Sequence, residues 1–308
     1  MSDVDVVMPV RDAMPFLIAA VESVRAQTVA GWRLLVVDDG SVDGGPDWCR
    51  DLRDPRVQVI RSRGRGISAA LNTGIEVASA PYVARMDGDD LSSDTRLERQ
   101  LERMACGDLV ALGTSYSVID ASGHPIAVQA VPSGPTAVRA ALARTNPFCH
   151  GSLLLRTEAI KRAGGYRDDF PLAEDYDLML RLAALGDVDN LDAPLYSWRL
   201  SPASTSVRRP RRQAAQAARV RASARRARLV PRAPLRTRSA DAAAPVLERL
   251  ERWRPERPSV VEHRWRAGLL RGEGSLAAAL VEYDALLDEH PLDLVARLRR
   301  RRTRALAP

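Results

Sequence analysis

The sequence predicts an α/β fold, a sheet of largely parallel strands with helices on both faces. Two observations carry this prediction: short apolar runs alternate with segments of helical spacing, and the first four runs each end in polar residues. The composition, 45% hydrophobic and 28% charged residues in a chain of 308, is typical of a soluble globular protein. This length allows one large domain or two modest ones.

The elements follow in order along the first two hundred residues. Apolar composition predicts strands at residues 4–10, 33–37, 57–60, 81–86, 111–120, 146–156 and 193–200. Apolar spacing predicts helices at residues 13–27, 67–78, 95–105 and 136–144, with another within 164–186. No apolar run approaches the roughly 20 residues that cross a bilayer, and the acidic start MSDVDVV is unlike a secretion signal. We therefore expect a cytoplasmic protein.

Polar clusters follow the first strands at the point where each strand ends. The clusters are VRDA, DDGS, RGRG and DGDD. Because ligand-binding loops of parallel α/β sheets lie beyond the carboxyl ends of the strands, we expect the four clusters to share one edge. The sequence predicts the functional site at that edge.

The DGDD cluster places Asp87, Asp89 and Asp90 within four positions directly after a buried strand. Carboxylates this close repel one another, and a hard divalent cation with oxygen ligands relieves the repulsion and can also bridge two phosphates. The alternative is a polar turn that caps the helix beginning near Ser93. Three acids are more than a cap requires, which favours the metal.

Two further acidic pairs have both a functional and a structural interpretation. Asp38 and Asp39 end a strand, where a carboxylate can accept hydrogen bonds from a base or a ribose, or can form an Asx-turn. Glu174 and Asp175 precede a helix, where acids stabilise the helix dipole or, facing the metal, can deprotonate an attacking hydroxyl.

Three motifs together resemble one known family. In order, VVMPVRDAMPFLIAAVESVRAQTVAGWRLLVVDDGSVDG, GISAALNTGIEVASAPYVARMDGDD and GGYRDDFPLAEDYDLMLRL are similar to the family 2 glycosyltransferases of GT-A fold, over about residues 4–206. The resemblance implies a Rossmann-like mixed sheet flanked by helices, and an inverting transfer of a sugar from a nucleotide-diphosphate donor. It also implies Mg²⁺ or Mn²⁺, and an acceptor hydroxyl on a glycan or lipid-linked sugar of cell-envelope polysaccharide synthesis.

The resemblance also implies roles for individual residues. The residues that it implies bind the nucleotide-sugar donor are Pro9, Val10, Arg11, Asp12, Asp39, Gly66, Asn72, Asp87 and Gly88. Asp39 matches the base-recognising aspartate, Asp87 lies near the ribose, and Asp87 with Asp89 binds the metal, with Asp90 behind them. Asp175 matches the catalytic base, with Glu174 beside it. His150 and Arg199 are acceptor-side candidates, although a lone histidine before a strand is more often structural.

One position departs from the family pattern. Many relatives carry a histidine after the last strand, whereas this chain has Ser201 in SWRLSPASTS. If that histidine helps to hold metal or diphosphate, this protein must use Ser201, water or nearby arginines. The departure puts metal affinity in doubt more than the fold.

The distribution of charge indicates where the domains begin and end. The net charge of +7 indicates an anionic partner, and residues 207–238 contain twelve arginines. We expect a transferase domain at 1–206, an Arg/Ala-rich helix and linker at 207–243, and a helical extension at 244–308 like a single tetratricopeptide unit. The arginine segment is a solvated helix face or binds the anionic inner face of a membrane. It lacks aromatic interleaving, which disfavours nucleic acid.

Two other classes of protein remain as alternatives. A nucleotidyltransferase would show a glycine-rich phosphate loop after the first strand, but MPVRDAMPF has no glycine. A non-catalytic, transferase-like interaction module would be expected to lose Asp89 or Asp175, and both are present. The sequence therefore favours an active enzyme, with UDP, GDP or dTDP as the nucleotide of its donor.

Overall fold

The computed structural model describes residues 2–200, 209–227 and 229. The chain divides into two compact units. The first comprises residues 1–117, 130–199 and 212–232, and the second comprises 118–129, 200–211 and 233–308. Residues 201–208 and most of the chain after 227 lie outside the described residues. The helical extension and the role of Ser201 in place of the family's histidine therefore remain predictions.

The described strands and helices, in chain order, are as follows. The strands are β1 (Val4–Val10), β2 (Trp32–Asp38), β3 (Val57–Arg61), β4 (Tyr82–Arg85), β5 (Leu91–Ser92), β6 (Leu109–Ile119), β7 (Pro125–Gln129), β8 (Leu154–Arg156) and β9 (Asp187–Arg199). The helices are α1 (Phe16–Arg25), α2 (Gly45–Asp51), α3 (Ile67–Val77), α4 (Arg96–Ala105), α5 (Pro135–Leu142), α6 (Thr157–Arg162), α7 (Glu174–Leu182) and α8 (Pro210–Arg226).

The strands of the first unit form a mixed sheet. They pair in the order β3-β2-β1-β4-β8-β6-β9-β5. The first four strands along the chain are parallel, and β8 then pairs antiparallel with both β4 and β6. The predicted mixed α/β fold is confirmed.

Strands β1, β2 and β4 are buried on both faces, which explains their nearly continuous apolar sequences, whereas the edge strand β3 is only partly buried. Val6 and Met8 of β1 pack with α1 and α4 on one face. Val7, between them, packs with α3 and α7 on the other. Period-two alternation therefore divides one apolar run between two cores.

Several elements differ from their sequence predictions. Helix α2 was missed because GGPDWCRD begins with two glycines and a proline, residues that usually mark a loop. Helix α6 and the two-residue strand β5 were also missed. Residues 146–156 contain a 3₁₀ turn at His150–Ser152 and only a three-residue strand, because Gly151 and Ser152 interrupt the apolar pattern.

Helix α8 lies within the arginine-rich segment and has a buried side. Val220 and Ala224 are 1% and 4% exposed and belong to the core that contains α7. The Arg219 guanidinium lies 5.9 Å from the Phe170 ring centroid. The basic segment therefore contacts the chain on either side of Glu174 and Asp175, since Arg221 also interacts with Tyr176.

The second unit is described over a short length only. Its strand β7 follows a turn in which the Asp120 carboxylate accepts hydrogen bonds from the main-chain N–H groups of Ser122 and His124, both at 2.9 Å. The Leu200 N–H donates to the Ile119 carbonyl at 2.8 Å.

Candidate active site

The loops after the parallel strands meet at one edge of the sheet, as the sequence predicts. The Asp39 N–H donates to the Val10 carbonyl at 2.9 Å. The Asp12 carboxylate accepts the Val42 N–H at 2.8 Å, and the Asp12 N–H donates to Ser41 Oγ at 3.2 Å. Asp12 has a φ of 49°, a left-handed conformation that Asp tolerates better than most residues.

The two acids that end β2 have different partners. Asp38 Oδ1 accepts the N–H groups of Gly40 and Ser41 at 3.1 and 2.8 Å, which is the Asx-turn interpretation. Both Asp39 oxygens instead accept the Gly66 N–H, at 3.1 and 3.0 Å. Arg11 lies 3.8 Å from Asp39 and is 60% exposed. Asp39 therefore joins two loops, and the exposed guanidinium of Arg11 lies beside it.

Two glycines that the sequence predicts at the donor site, Gly66 and Gly88, lie where a side chain would be strained or crowded. Gly66 has a φ of +93°. A Cβ at Gly88 would lie 3.0 Å from Val10 Cγ1. The DGDD loop therefore packs directly against the end of β1, which Pro9 and Val10 form.

Asp90 is the structural member of the DGDD cluster. It is 1% exposed, and its carboxylate accepts the Arg199 N–H and the Tyr196 hydroxyl, both at 2.7 Å. Tyr196 Oη in turn accepts the Asp87 N–H at 3.1 Å. These bonds fix the loop from the interior and leave Asp87 and Asp89 as the acids available to a ligand.

Asp87 and Asp89 fit a divalent cation that is shared with a diphosphate. The Asp87 side chain is 28% exposed. Burial and, next, repulsion from Asp87 raise the pKa of Asp89 to about 6. Among the described residues, no group of three or more His, Cys, Asp and Glu side chains forms a complete metal site. Mg²⁺ commonly takes one or two carboxylates and completes its shell with water and substrate phosphates.

Arg199, predicted on the acceptor side, contacts the DGDD loop. Its Nε donates to the Asp89 carbonyl at 2.7 Å. Its guanidinium lies 4.7 Å from the Phe16 ring centroid. These contacts hold the main chain that carries the acids, and contact with an acceptor stays a prediction.

The second group of acids lies at the start of α7. Glu174 is 7% exposed, its Oε2 has no hydrogen-bond partner, and burial followed by repulsion from Asp175 raises its pKa to about 7. Asp175 is less buried; its Oδ2 accepts from Asn146 Nδ2 and its Oδ1 from the Tyr176 N–H, both at 2.8 Å. Burial raises the pKa of Asp175 as well. These acids favour the protonated form more than exposed carboxylates do.

His150 and Asn72 both contact Tyr166. His150 Nε2 lies 2.7 Å from the Tyr166 hydroxyl, and burial with the nearby charge of Arg85 lowers the pKa of His150 well below its usual range. The Asn72 amide donates to the Tyr166 carbonyl and accepts the Tyr166 N–H, both at 2.8 Å. Asn72 therefore fixes the segment before α7, and direct donor binding by Asn72 stays a prediction.

Four residues near the acids escaped sequence reasoning: Arg85, Asn146, Tyr166 and Tyr196. Arg85 had a signal, because an arginine in the buried run YVARM directly before three acids needs a partner. The other three had none, since their importance depends on contacts with residues far away in the chain.

The family model described as Glycosyl transferase family 2 matches residues 5–164, more than half of the chain. The chain belongs to glycosyl transferase family 2. It is a nucleotide-sugar glycosyltransferase, as the sequence predicts. The match includes most of β1, all of β2 to β8, the DGDD loop and His150, and it ends before Glu174 and β9.

Similar proteins match a longer part of the chain than the family model does. The chain is 33% identical to EpsE of Bacillus subtilis (strain 168) over 207 residues, 64% of this chain and 72% of EpsE. It is 28% identical to the O-antigen biosynthesis glycosyltransferase WbnJ of Escherichia coli, over 66% of this chain and 81% of WbnJ. It spans only 16% of the O-antigen biosynthesis protein RfbC of Myxococcus xanthus.

Two solved structures share the fold. TarS 1–349 of S. aureus in complex with UDP-GlcNAc has a TM-score of 0.60 at 15% identity, with 98% of this chain and 89% of that chain covered. The mannosyltransferase PcManGT of Pyrobaculum calidifontis, in complex with GDP-Man and Mn²⁺, has a TM-score of 0.57 at 19% identity, with 99% and 80% covered. At these identities the likeness establishes the fold alone.

Proposed function

We propose that this enzyme inverts the anomeric centre of a nucleotide-diphosphate sugar as it transfers the sugar to a hydroxyl of a glycan or lipid-linked acceptor. One observation carries the proposal: the buried Arg85 guanidinium forms an ion pair with Asp87 and also interacts electrostatically with Asp89 and with the two acids that begin α7, Glu174 and Asp175. The charge of Arg85 lowers the pKa of Asp89, Glu174 and Asp175 against the effect of burial. This shared charge supports placing the proposed metal-binding pair and the proposed proton acceptor in one reaction centre.

Asp87 and Asp89 would hold a divalent cation, Mg²⁺ or Mn²⁺, together with the donor diphosphate. When bound, the cation would neutralise negative charge that develops on the leaving nucleoside diphosphate. The solved relative in complex with GDP-Man and Mn²⁺ supports the use of a divalent metal in this fold. Asp39 would accept a hydrogen bond from the nucleotide base, and Gly66 keeps that carboxylate in place.

Asp175 would take the proton of the acceptor hydroxyl as the hydroxyl attacks the anomeric carbon. Asp175 is partly exposed as a residue whereas Glu174 is buried, which favours Asp175 as the acid that contacts the acceptor. Asn146 and the Tyr176 N–H fix its orientation. A raised pKa makes Asp175 a stronger base than an exposed aspartate, and general base catalysis contributes about 10²–10⁴-fold.

The acceptor and the place of action are proposed from charge and from relatives. WbnJ and RfbC act in O-antigen biosynthesis by name, which supports a polysaccharide acceptor. In the described part of the chain, no helix combines the length and the hydropathy needed to cross a bilayer. Exposed arginines of α8, including Arg212 and Arg225, would contact an anionic membrane surface. Co-sedimentation with anionic and neutral vesicles at two salt concentrations measures that contact.

Calorimetric titration with UDP, GDP and dTDP, each with and without Mn²⁺, tests the proposed donor site. We expect one nucleotide to bind with Mn²⁺ and to bind at least about tenfold more weakly to Asp89→Ala, which removes a metal ligand. Asp94→Ala, which removes an exposed acid outside the cluster, should keep the affinity of the native protein.

Binding of no nucleotide under any condition would contradict the proposal and favour a transferase-like domain without activity. Equal binding to Asp89→Ala and to the native protein would contradict the metal assignment alone. Once the nucleotide is known, release of nucleoside diphosphate from the matching sugar donor measures turnover.

A further inference from the structure

Arg85 is a buried cation on the strand that leads into the DGDD loop. Its side chain is only 3% exposed, and β4 lies between β1 and β8 in the sheet. A guanidinium removed from water is costly unless it is paired and fully hydrogen-bonded. Arg85 meets this condition only in part, because its buried Nε has no hydrogen-bond partner. Its position therefore needs an explanation beyond stability.

The principal partner of Arg85 is a predicted metal ligand. Arg85 Nη1 forms an ion pair with Asp87 Oδ2. The same guanidinium offsets part of the rise in pKa that burial causes at Glu174 and Asp175, which belong to α7. One fixed positive charge thus faces acids from both sides of the proposed reaction centre.

A purely structural ion pair in this sheet has a different arrangement. Arg33 binds both oxygens of Asp5 through Nε and Nη2, at 2.8 and 2.9 Å. Asp5 is fully buried and also accepts the N–H groups of Ser79 and Ala80. Asp87 is by contrast partly exposed, so its carboxylate can contact both Arg85 and a ligand from solvent.

We propose that Arg85 is a positioning residue that serves as a resident counter-charge: it holds Asp87 in the free enzyme and opposes binding of a divalent cation until a diphosphate arrives. This inference rests on the proposed function. The repulsion between a guanidinium and a dication weakens cation binding to the free enzyme. The negative charge of the donor diphosphate offsets that repulsion, so the cation and the donor bind together.

Titration with Mn²⁺ alone, followed by thermal unfolding and calorimetry, tests the inference without any turnover. The proteins are the native chain, Arg85→Met, Arg85→Gln, Arg85→Lys and Arg33→Met. Both neutral variants at position 85 should bind Mn²⁺ at least about tenfold more tightly than the native chain, because one nearby positive charge is gone. Arg85→Lys keeps the charge and Arg33→Met removes a remote ion pair, so both should retain the native affinity.

Arg85→Gln can still donate a hydrogen bond to Asp87, and it keeps the test decisive if Arg85→Met does not fold. Unchanged or weaker Mn²⁺ affinity in the neutral variants would overturn the inference. If Mn²⁺ and nucleotide still bind together to the native chain in that case, the proposed function stands. If they do not, the proposed function fails, and the inference fails with it.

Discussion

Two buried acids of the same domain, Asp5 and Glu174, have opposite hydrogen-bonding environments. At the amino end of β1, Asp5 accepts four short hydrogen bonds, two from Arg33 and one each from the N–H groups of Ser79 and Ala80. Burial raises the pKa of Asp5, but these bonds outweigh burial and lower it overall. At the start of α7, Glu174 has a buried oxygen with no partner and a pKa raised to about 7.

The difference separates an acid that stabilises the fold from an acid that is available for chemistry. A carboxylate saturated with donors is inert because every lone pair is occupied. A buried carboxylate with too few donors destabilises the protein, but it can accept a proton or coordinate a ligand. The unpaired oxygen of Glu174 and the raised pKa values of Glu174 and Asp175 therefore distinguish the acids at the start of α7 from Asp5.

The largest expected effect is on turnover, through the base. Asp175→Asn should lower turnover by about 10²–10⁴-fold because the amide cannot accept the hydroxyl proton. The thermal midpoint should fall modestly, because the amide oxygen keeps one of the two donors, Asn146 or the Tyr176 N–H, while the amide NH₂ faces the other and no ion pair is lost. Nucleoside diphosphate release measures the rate. Asp177→Asn, which breaks a 2.7 Å ion pair with Arg181 in the same helix, is the control and should lower stability instead. Native turnover in Asp175→Asn would remove this residue as the base.

The next effect is on stability, at the opposite end of the sheet. Asp5→Asn should lower the free energy of unfolding by about 3 kcal/mol, because it breaks a buried ion pair and turns an amide NH₂ toward existing donors. Urea denaturation measures the change, and the folded fraction should keep native turnover. Asp3→Asn, an exposed neighbour, should stay within about 0.5 kcal/mol of the native chain. A loss of turnover in the folded Asp5 variant would break the distinction between the two acids.

The smallest expected effect is a gain in stability when Glu174 is replaced. The raised pKa of Glu174, about 7 against an ordinary 4.5, means that the folded state holds a proton that the unfolded state releases. The associated stability is present below about pH 4.5 and is lost as the pH rises through about 7. Glu174→Gln should therefore raise stability by roughly 1–2 kcal/mol at pH 8 and leave it nearly unchanged at pH 4, below the unfolded pKa. Thermal midpoints at both pH values provide the measurement, and a uniform loss would show that ionised Glu174 has partners in solution.

The fold was largely predictable because its signals are local. Apolar runs such as VDVVMPV and RLLVV, each followed by polar residues, specify strands whose carboxyl ends meet. Helix α2 was not predictable in this way, because glycine and proline at its start resemble loop residues and tertiary packing decides its conformation. Trp48 and Cys49 of α2 pack against the sheet, and such contacts are absent from a local pattern.

The site was predictable in its residue types but not in their partners. The sequence indicates two acids after β2, and only the structure distinguishes Asp38, in an Asx-turn, from Asp39, which binds Gly66 across loops. It likewise indicates Asn72 within a family motif, whereas the contact of Asn72 with Tyr166 joins residues 94 positions apart. Long-range hydrogen bonds of this kind leave no trace in local periodicity.

That link between Asn72 and Tyr166 has a consequence for how the protein is made. Chains are synthesised from the amino terminus, and contacts between distant residues must wait for the later partner. The loops joined by the Asp39–Gly66 hydrogen bonds lie within about the first ninety residues, so this contact can form early, whereas the DGDD loop must wait for Tyr196 and Arg199. The two hydrogen bonds between Asn72 and Tyr166 fix the segment before α7, which carries Asp175, and they require nearly twice that length. A nascent chain can therefore form the contact between Asp39 and Gly66 well before it contains Asp175, the proposed base, or the residues that hold the DGDD loop.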